Sequence, residues 1–187
     1  MSELKPRAWV GCLGCYNDGR LTGEWFDGAD VPQDMPAFDA AIWPEADDSE
    51  TRRYHVLDGH EELWVMDHEG YGGFLKGECS PVTAARIAGF IESIPDYVPA
   101  EAVAAWLDNE GAPNPPESFG EIDDDFHEAY AGEHDSDRDF AQDLAEGLDM
   151  IDEKLGWPYS CIDWDYAASE LLSSDYWSDG RYYFRNC

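Results

Sequence analysis

The period of the apolar positions changes along the chain. Residues 7–16 (RAWVGCLGCY) alternate bulky and small side chains, and residues 20–26 (RLTGEWF) are rich in types that suit a pleated surface. Asn17-Asp18-Gly19 between them is turn chemistry, because Asp-Gly accepts positive φ angles, so a β-hairpin is expected. A Pro-punctuated acidic stretch follows, with at most a short helix at 37–42. Residues 62–67 (ELWVMD) read as a third strand and residues 69–78 (EGYGGFLKGE) as a Gly-rich break.

Helical spacing then takes over. In residues 80–95, Ser80 is an N-cap and Pro81 the first helical residue, Ala84, Ile87, Ala88, Ile91 and Ile94 form an apolar face, and Pro95 stops the helix. Residues 99–111 repeat the form with Val103, Trp106 and Leu107, ending at Gly111, and a helical hairpin is expected. Residues 112–118 (APNPPES) read as a linker.

Residues 119–130 fit two periods. Phe119, Ile122, Phe126 and Tyr130 suit a helix, while Phe126, Glu128 and Tyr130 suit an alternating strand. Over residues 137–155, Phe140, Leu144, Leu148, Ile151 and Leu155 form one stripe, ended by Gly156 and Pro158. A helix at 163–172 and a strand at 181–186 (RYYFRN) complete the pattern, and no internal repeat is present. The fold class is α+β, in three small domains: an N-terminal α+β domain with a hairpin (1–78), a helical middle domain (79–116) and an acidic C-terminal α+β domain (117–187).

Charge changes this picture most. The 187 residues carry 42 acidic and 11 basic side chains, a formal net charge of −31, while 43% hydrophobic and 14% aromatic content can supply a core. Residues 87–153 hold 20 acidic residues against Arg138 alone. Such a surface repels nucleic acid and anionic membrane and attracts basic protein surfaces. No apolar run is long enough to cross a bilayer and the start, MSELKPRAW, lacks a signal-peptide core, so a cytoplasmic location is expected. Five scattered cysteines do not form a disulfide framework.

Candidate chemistry is sparse. Residues 135–146 place acids at positions 1, 3, 5, 9 and 12 of a calcium loop, but the sixth position, which needs Gly, is Phe140 of the apolar stripe. Cys12 and Cys15 have redox or zinc spacing. On a strand, however, residues three apart point to opposite faces, and no second Cys pair completes four ligands, so packed thiols are expected. The five histidines contain no HExxH pair, and phosphate-binding, dinucleotide and serine-nucleophile motifs are absent. No catalytic residue, metal or cofactor is expected. Aromatic clusters at 176–177 and 182–184 suit either a core or a subunit interface.

Dense carboxylates have one further use. Seven acids in residues 137–153, read as one helix, give one acid per roughly 3.6 Å at about 1.5 Å rise per residue, close to the 3.4 Å per charge of a single DNA strand. The net charge of −31 matches that of about 53 Å of duplex. The candidate partner-binding surface is Asp123, Asp124, Asp125, Glu128, Glu133, Asp135, Asp137, Asp139, Asp143, Glu146, Asp149, Asp152 and Glu153. A solvated acidic face of no specific role has the same composition.

Residues 6–27, with Leu13, Tyr16-Asn17, Gly19, Leu21, Gly23 and Trp25, resemble the opening signature of the ArdA antirestriction proteins. Residues 61–71 resemble that family's acidic strand, 126–136 its F-x-x-A-Y-x-G motif, and 162–176 its segment before a final aromatic strand. The resemblance is collinear over nearly the whole chain. Residues 44–60 and 112–118 match least and read as variable loops.

The resemblance implies an elongated three-domain protomer that dimerises through its C-terminal domain and is encoded on mobile elements. It also implies a protein that imitates bent B-form DNA in the groove of type I restriction-modification enzymes, with no catalytic residues, and it favours a strand over 126–131. The alternative is a generic acidic interaction protein or decoy for another DNA-binding partner.

Overall fold

The computed structural model of the chain describes residues 4–43, 59–112, 114–151, 154 and 156–186. These form two compact units, Met1–Glu121 and Ile122–Cys187, in an α+β fold.

In the first unit, β1 (Arg7–Cys12) is central in a three-stranded antiparallel sheet, between β2 (Gly23–Asp27) and β3 (Leu63–Glu69). Ala8 and Val10 of β1 and Val65 of β3 are buried on the inner face, while Trp9 stands opposite Trp25 on the outer one. Arg7 faces Asp27 on one neighbour and Glu69 on the other, and its guanidinium bridges both carboxylates at 3.3 and 2.9 Å.

The expected tight hairpin is not what joins β1 to β2. After Cys12 the chain turns into a short helix, α1 (Leu13–Asn17), and Gly19, at φ +78°, ends that helix instead of closing a two-residue turn. The alternation read over 7–16 is therefore a strand only as far as Cys12. Helix α2 (Met35–Ile42) starts at Asp34, whose carboxylate accepts the Ala37 N–H at 2.8 Å.

Helices α3 (Pro81–Ser93) and α4 (Ala100–Asn109) form as their caps dictate. Ser80 Oγ accepts the Thr83 N–H at 3.2 Å, and the expected face of Ala84, Ile87, Ala88 and Ile91 is buried. Both helices pack within the first unit, α3 on the 3-10 turn Gly28–Asp30 and α4 on the turn Gly72–Phe74. The segment read as a linker is tied down. Arg86 of α3 donates to the Pro115 carbonyl and to Asn114 Oδ1, and Pro115 is buried.

The second unit opens with α5 (Asp123–Ala129) and β4 (Tyr130–Glu133), so the strand expected over 126–131 is a helix up to Ala129. Phe126 and Ala129 are buried with helical spacing, which satisfies the apolar pattern without a strand. Helix α6 (Asp137–Gly147) and helix α7 (Trp164–Ser174) pack against a sheet of order β4-β6-β5, with β5 at Tyr176–Asp179 and β6 at Tyr182–Arg185. β4 carries a bulge at Gly132, whose φ of +119° suits only glycine.

Phe140 stacks on Tyr183 at 4.5 Å and meets Tyr176 edge-on at 5.0 Å, and all three are buried. Phe184 is buried too, with Trp177 stacked on it at 4.3 Å. The aromatic clusters read as core or interface are thus core at Tyr176, Tyr183 and Phe184. Leu144 packs beside them, as the stripe predicts.

The stripe does not continue as helix to residue 155. The Asp149 N–H bonds to the Glu146 carbonyl and the Met150 N–H to the Ala145 carbonyl, both at 3.0 Å, with Asp149 at φ +54°. This is a Schellman stop with an aspartate in the left-handed position. Leu148 is consequently exposed.

Candidate functional site

The acidic stretch 123–146 is built from α5, β4 and α6. Asp123, Asp124 and Asp125 occupy the first turn of α5, and Asp137 and Asp139 that of α6, where the positive end of each helix dipole favours carboxylates. Ser136 caps α6, accepting the Asp139 N–H at 3.2 Å and donating its hydroxyl to Asp139 Oδ2 at 2.7 Å.

Several of these acids have partners inside the unit. Asp123 lies 2.9 Å from His127 Nδ1 one turn on, and Asp143 lies 3.2 Å from His134 Nδ1. Arg181 joins β4 to the following loop through Glu133 at 2.6 Å and Asp135 at 3.2 Å. The Tyr183 hydroxyl donates to Asp137 Oδ1 at 2.7 Å.

The structure places Asp124, Asp125, Glu128, Glu133, Asp135, Asp137, Asp139, Asp143 and Asp149 at the exposed surface of the second unit, with Asp123 and Glu146 half-buried. Asp149 lies past the end of α6. Asp152 and Glu153, expected on the same helix, lie outside the described residues, as does most of the variable segment 44–60. With α6 ending at Gly147, four acids span eleven residues, one per about 4 Å at a rise of about 1.5 Å.

The acidic surface is not confined to this stretch. Of the 42 acidic and 11 basic residues, 24 and 7 fall in the first unit and 18 and 4 in the second. Glu92, Asp96, Glu101, Glu110, Glu117 and Glu121 are exposed on or beside α3 and α4. They were absent from the candidate set although the basic-poor block that begins at residue 87 already contained them.

Phe140 is buried in α6 and so excludes a calcium loop through 135–146. Among the described residues, one group of His, Cys, Asp or Glu brings three ligand atoms within 4.8 Å of one another, formed by Cys12, Cys15 and His60. The expectation of opposed cysteines is corrected. Cys12 ends β1 and Cys15 lies on the next helical turn, so the chain reverses between them and both sulfurs face one imidazole.

A thiol beside an imidazole has the outline of a nucleophile and its base. Here both cysteines are buried, and burial pushes the Cys12 thiol up to about 11, the opposite of an activated thiolate.

The fold and surface define a small acidic α+β protein whose distinctive chemistry is exposed carboxylate. The family described as antirestriction protein (ArdA) matches residues 8–183 of the 187, and the chain belongs to that family. Its family function is antirestriction, an inhibitory rather than catalytic role that involves interaction with restriction enzymes. No match was found among curated proteins. Among the described residues, no helix is long and apolar enough to cross a membrane.

Proposed function

We propose that this protein inhibits type I restriction-modification enzymes by presenting carboxylates in place of DNA phosphates, so that it occupies their DNA-binding groove. The observation that carries this reading is the acid spacing on α6, one per about 4 Å against 3.4 Å per phosphate along one DNA strand. Phosphate contacts supply much of the affinity of DNA-binding proteins without reading sequence, so an acidic surface can compete for the groove without bases. The local partners of Asp137, Glu133, Asp135 and Asp143 hold these carboxylates in place, which reduces the ordering entropy lost on docking.

The active form is a homodimer joined through the second unit, as in the elongated three-domain protomer expected of the family. Exposed Leu148, Met150, Trp157 and Tyr166, all in that unit, support this. The test is competition. Protein added in excess to a type I enzyme should displace bound DNA and stop cleavage, and the inhibition should weaken as salt rises. Unchanged DNA binding at moderate salt sinks the proposal, and capture of a different DNA-binding partner without restriction subunits favours a generic decoy.

A further inference from the structure

Cys12, Cys15 and His60 are unused by the proposed function, and their geometry asks for a central atom. Each sulfur stands 3.3 Å from the same ring nitrogen, His60 Nδ1. A ring nitrogen has either one proton to donate or one lone pair to offer, so it cannot satisfy two thiols equally. A tetrahedral zinc with Zn–S near 2.3 Å and Zn–N of about 2.0–2.1 Å separates sulfur from nitrogen by about 3.5 Å, close to both observed distances. One ion placed among the three atoms satisfies all of them.

The surroundings agree. The Cys15 N–H points at Cys12 Sγ at 3.4 Å, so this sulfur also receives a backbone donor. The other ring nitrogen, His60 Nε2, has the Asp18 carboxylate 4.0 Å away, as metal-bound imidazoles have a carboxylate behind them. The ring lies against Gly14, where a Cβ would stand 2.8 Å from it, so the residue between the cysteines leaves room for the histidine. The Leu13 N–H also bonds to the Glu62 carbonyl at 3.0 Å, fixing the His60 segment beside α1. Two thiolates neutralise a divalent ion, and soft sulfur with imidazole selects zinc over calcium or magnesium.

We propose that Cys12, Cys15 and His60 bind one zinc ion, with water or a small exogenous ligand as the fourth donor. The ion pins the segment leading into β3 to the junction of β1 and α1.

The experiment uses the full chain, purified reduced and without chelator. Elemental analysis should find about one zinc per chain. Replacement by Co2+ should give tetrahedral ligand-field bands together with thiolate-to-cobalt charge transfer, and chelator should lower Tm. Cys12→Ser and His60→Ala should each lose the cobalt spectrum, His60→Cys should keep it with stronger charge transfer, and Cys161→Ser should leave it unchanged. Should a variant fail to fold, the wild-type cobalt spectrum decides, because it reports sulfur ligation directly. No zinc and no thiolate-cobalt bands in the reduced wild type overturns the proposal. So does a full spectrum in both Cys12→Ser and His60→Ala.

Discussion

The buried ring of Tyr183 on β6 reaches, through its hydroxyl, the carboxylate of Asp137 in the first turn of α6, 2.7 Å away and 46 residues earlier in the chain. Burial and then the Asp137 carboxylate raise the Tyr183 phenol well above its ordinary range, so at physiological pH it stays a donor. A residue that looks like a phosphate substitute is therefore also a structural anchor. Tyr183→Phe should cost about 1.5–3 kcal/mol, the usual worth of a hydrogen bond to a charged group, in urea unfolding. Inhibition per folded molecule should stay unchanged, because the Asp137 charge remains.

The acids separate by their duties. Glu128→Gln, Glu146→Gln and Asp149→Asn combined should weaken inhibition of a type I enzyme about tenfold at low salt, at roughly 0.5 kcal/mol per charge. Unfolding should barely change, since these side chains cap nothing and asparagine tolerates the positive φ of Asp149. Neutralising Asp137, Asp139, Asp143 and Glu146 together should weaken inhibition and also lower stability, as three of the four have partners in the unit. Any single change should have a small effect, and one substitution that abolished inhibition in a folded protein would contradict a distributed surface.

Two further phenols also tie stability to alkaline pH. Tyr71 and Tyr130 are both raised from 10.0 to about 12, chiefly by burial, with Cys79 adding at the first and then Glu133 and Tyr182 at the second. The folded state holds these protons more tightly than the unfolded chain does. The contribution is complete below pH 10 and is lost as pH rises from 10 to about 12. Chemical unfolding followed across this range should show a falling midpoint coincident with tyrosinate absorbance, and a flat midpoint would refute it.

Self-association is testable at the same surface that suggests it. Met150→Ser with Trp157→Ser replaces two side chains that are 71% and 76% exposed, so folding of the second unit should be nearly unaffected. Sedimentation should show dimers converted to monomers. Persistence of the dimer would move the interface elsewhere.

Much of this protein is written locally in its sequence. Ser80, Ser136 and Asp163 mark helix starts because each carries an oxygen that captures a nearby backbone N–H, and the structure forms those three bonds. The buried Phe140 follows from a 3.6-residue stripe, and the charge excess, together with the motifs that resemble the ArdA family, is independent of conformation. Other features depended on tertiary structure. Residues 119–130 fitted two periods because a short apolar pattern does not distinguish a helix leading into a strand from either alone, and packing of Phe126 and Ala129 decided it. Likewise no local rule reveals that Cys12 and Cys15 converge on His60, 45 and more residues away, or that Asp137 answers to Tyr183. Those pairings arise only when the strands take their register and the chain turns at Cys12, which is why composition disclosed the acidic surface and the fold disclosed the thiol-imidazole cluster.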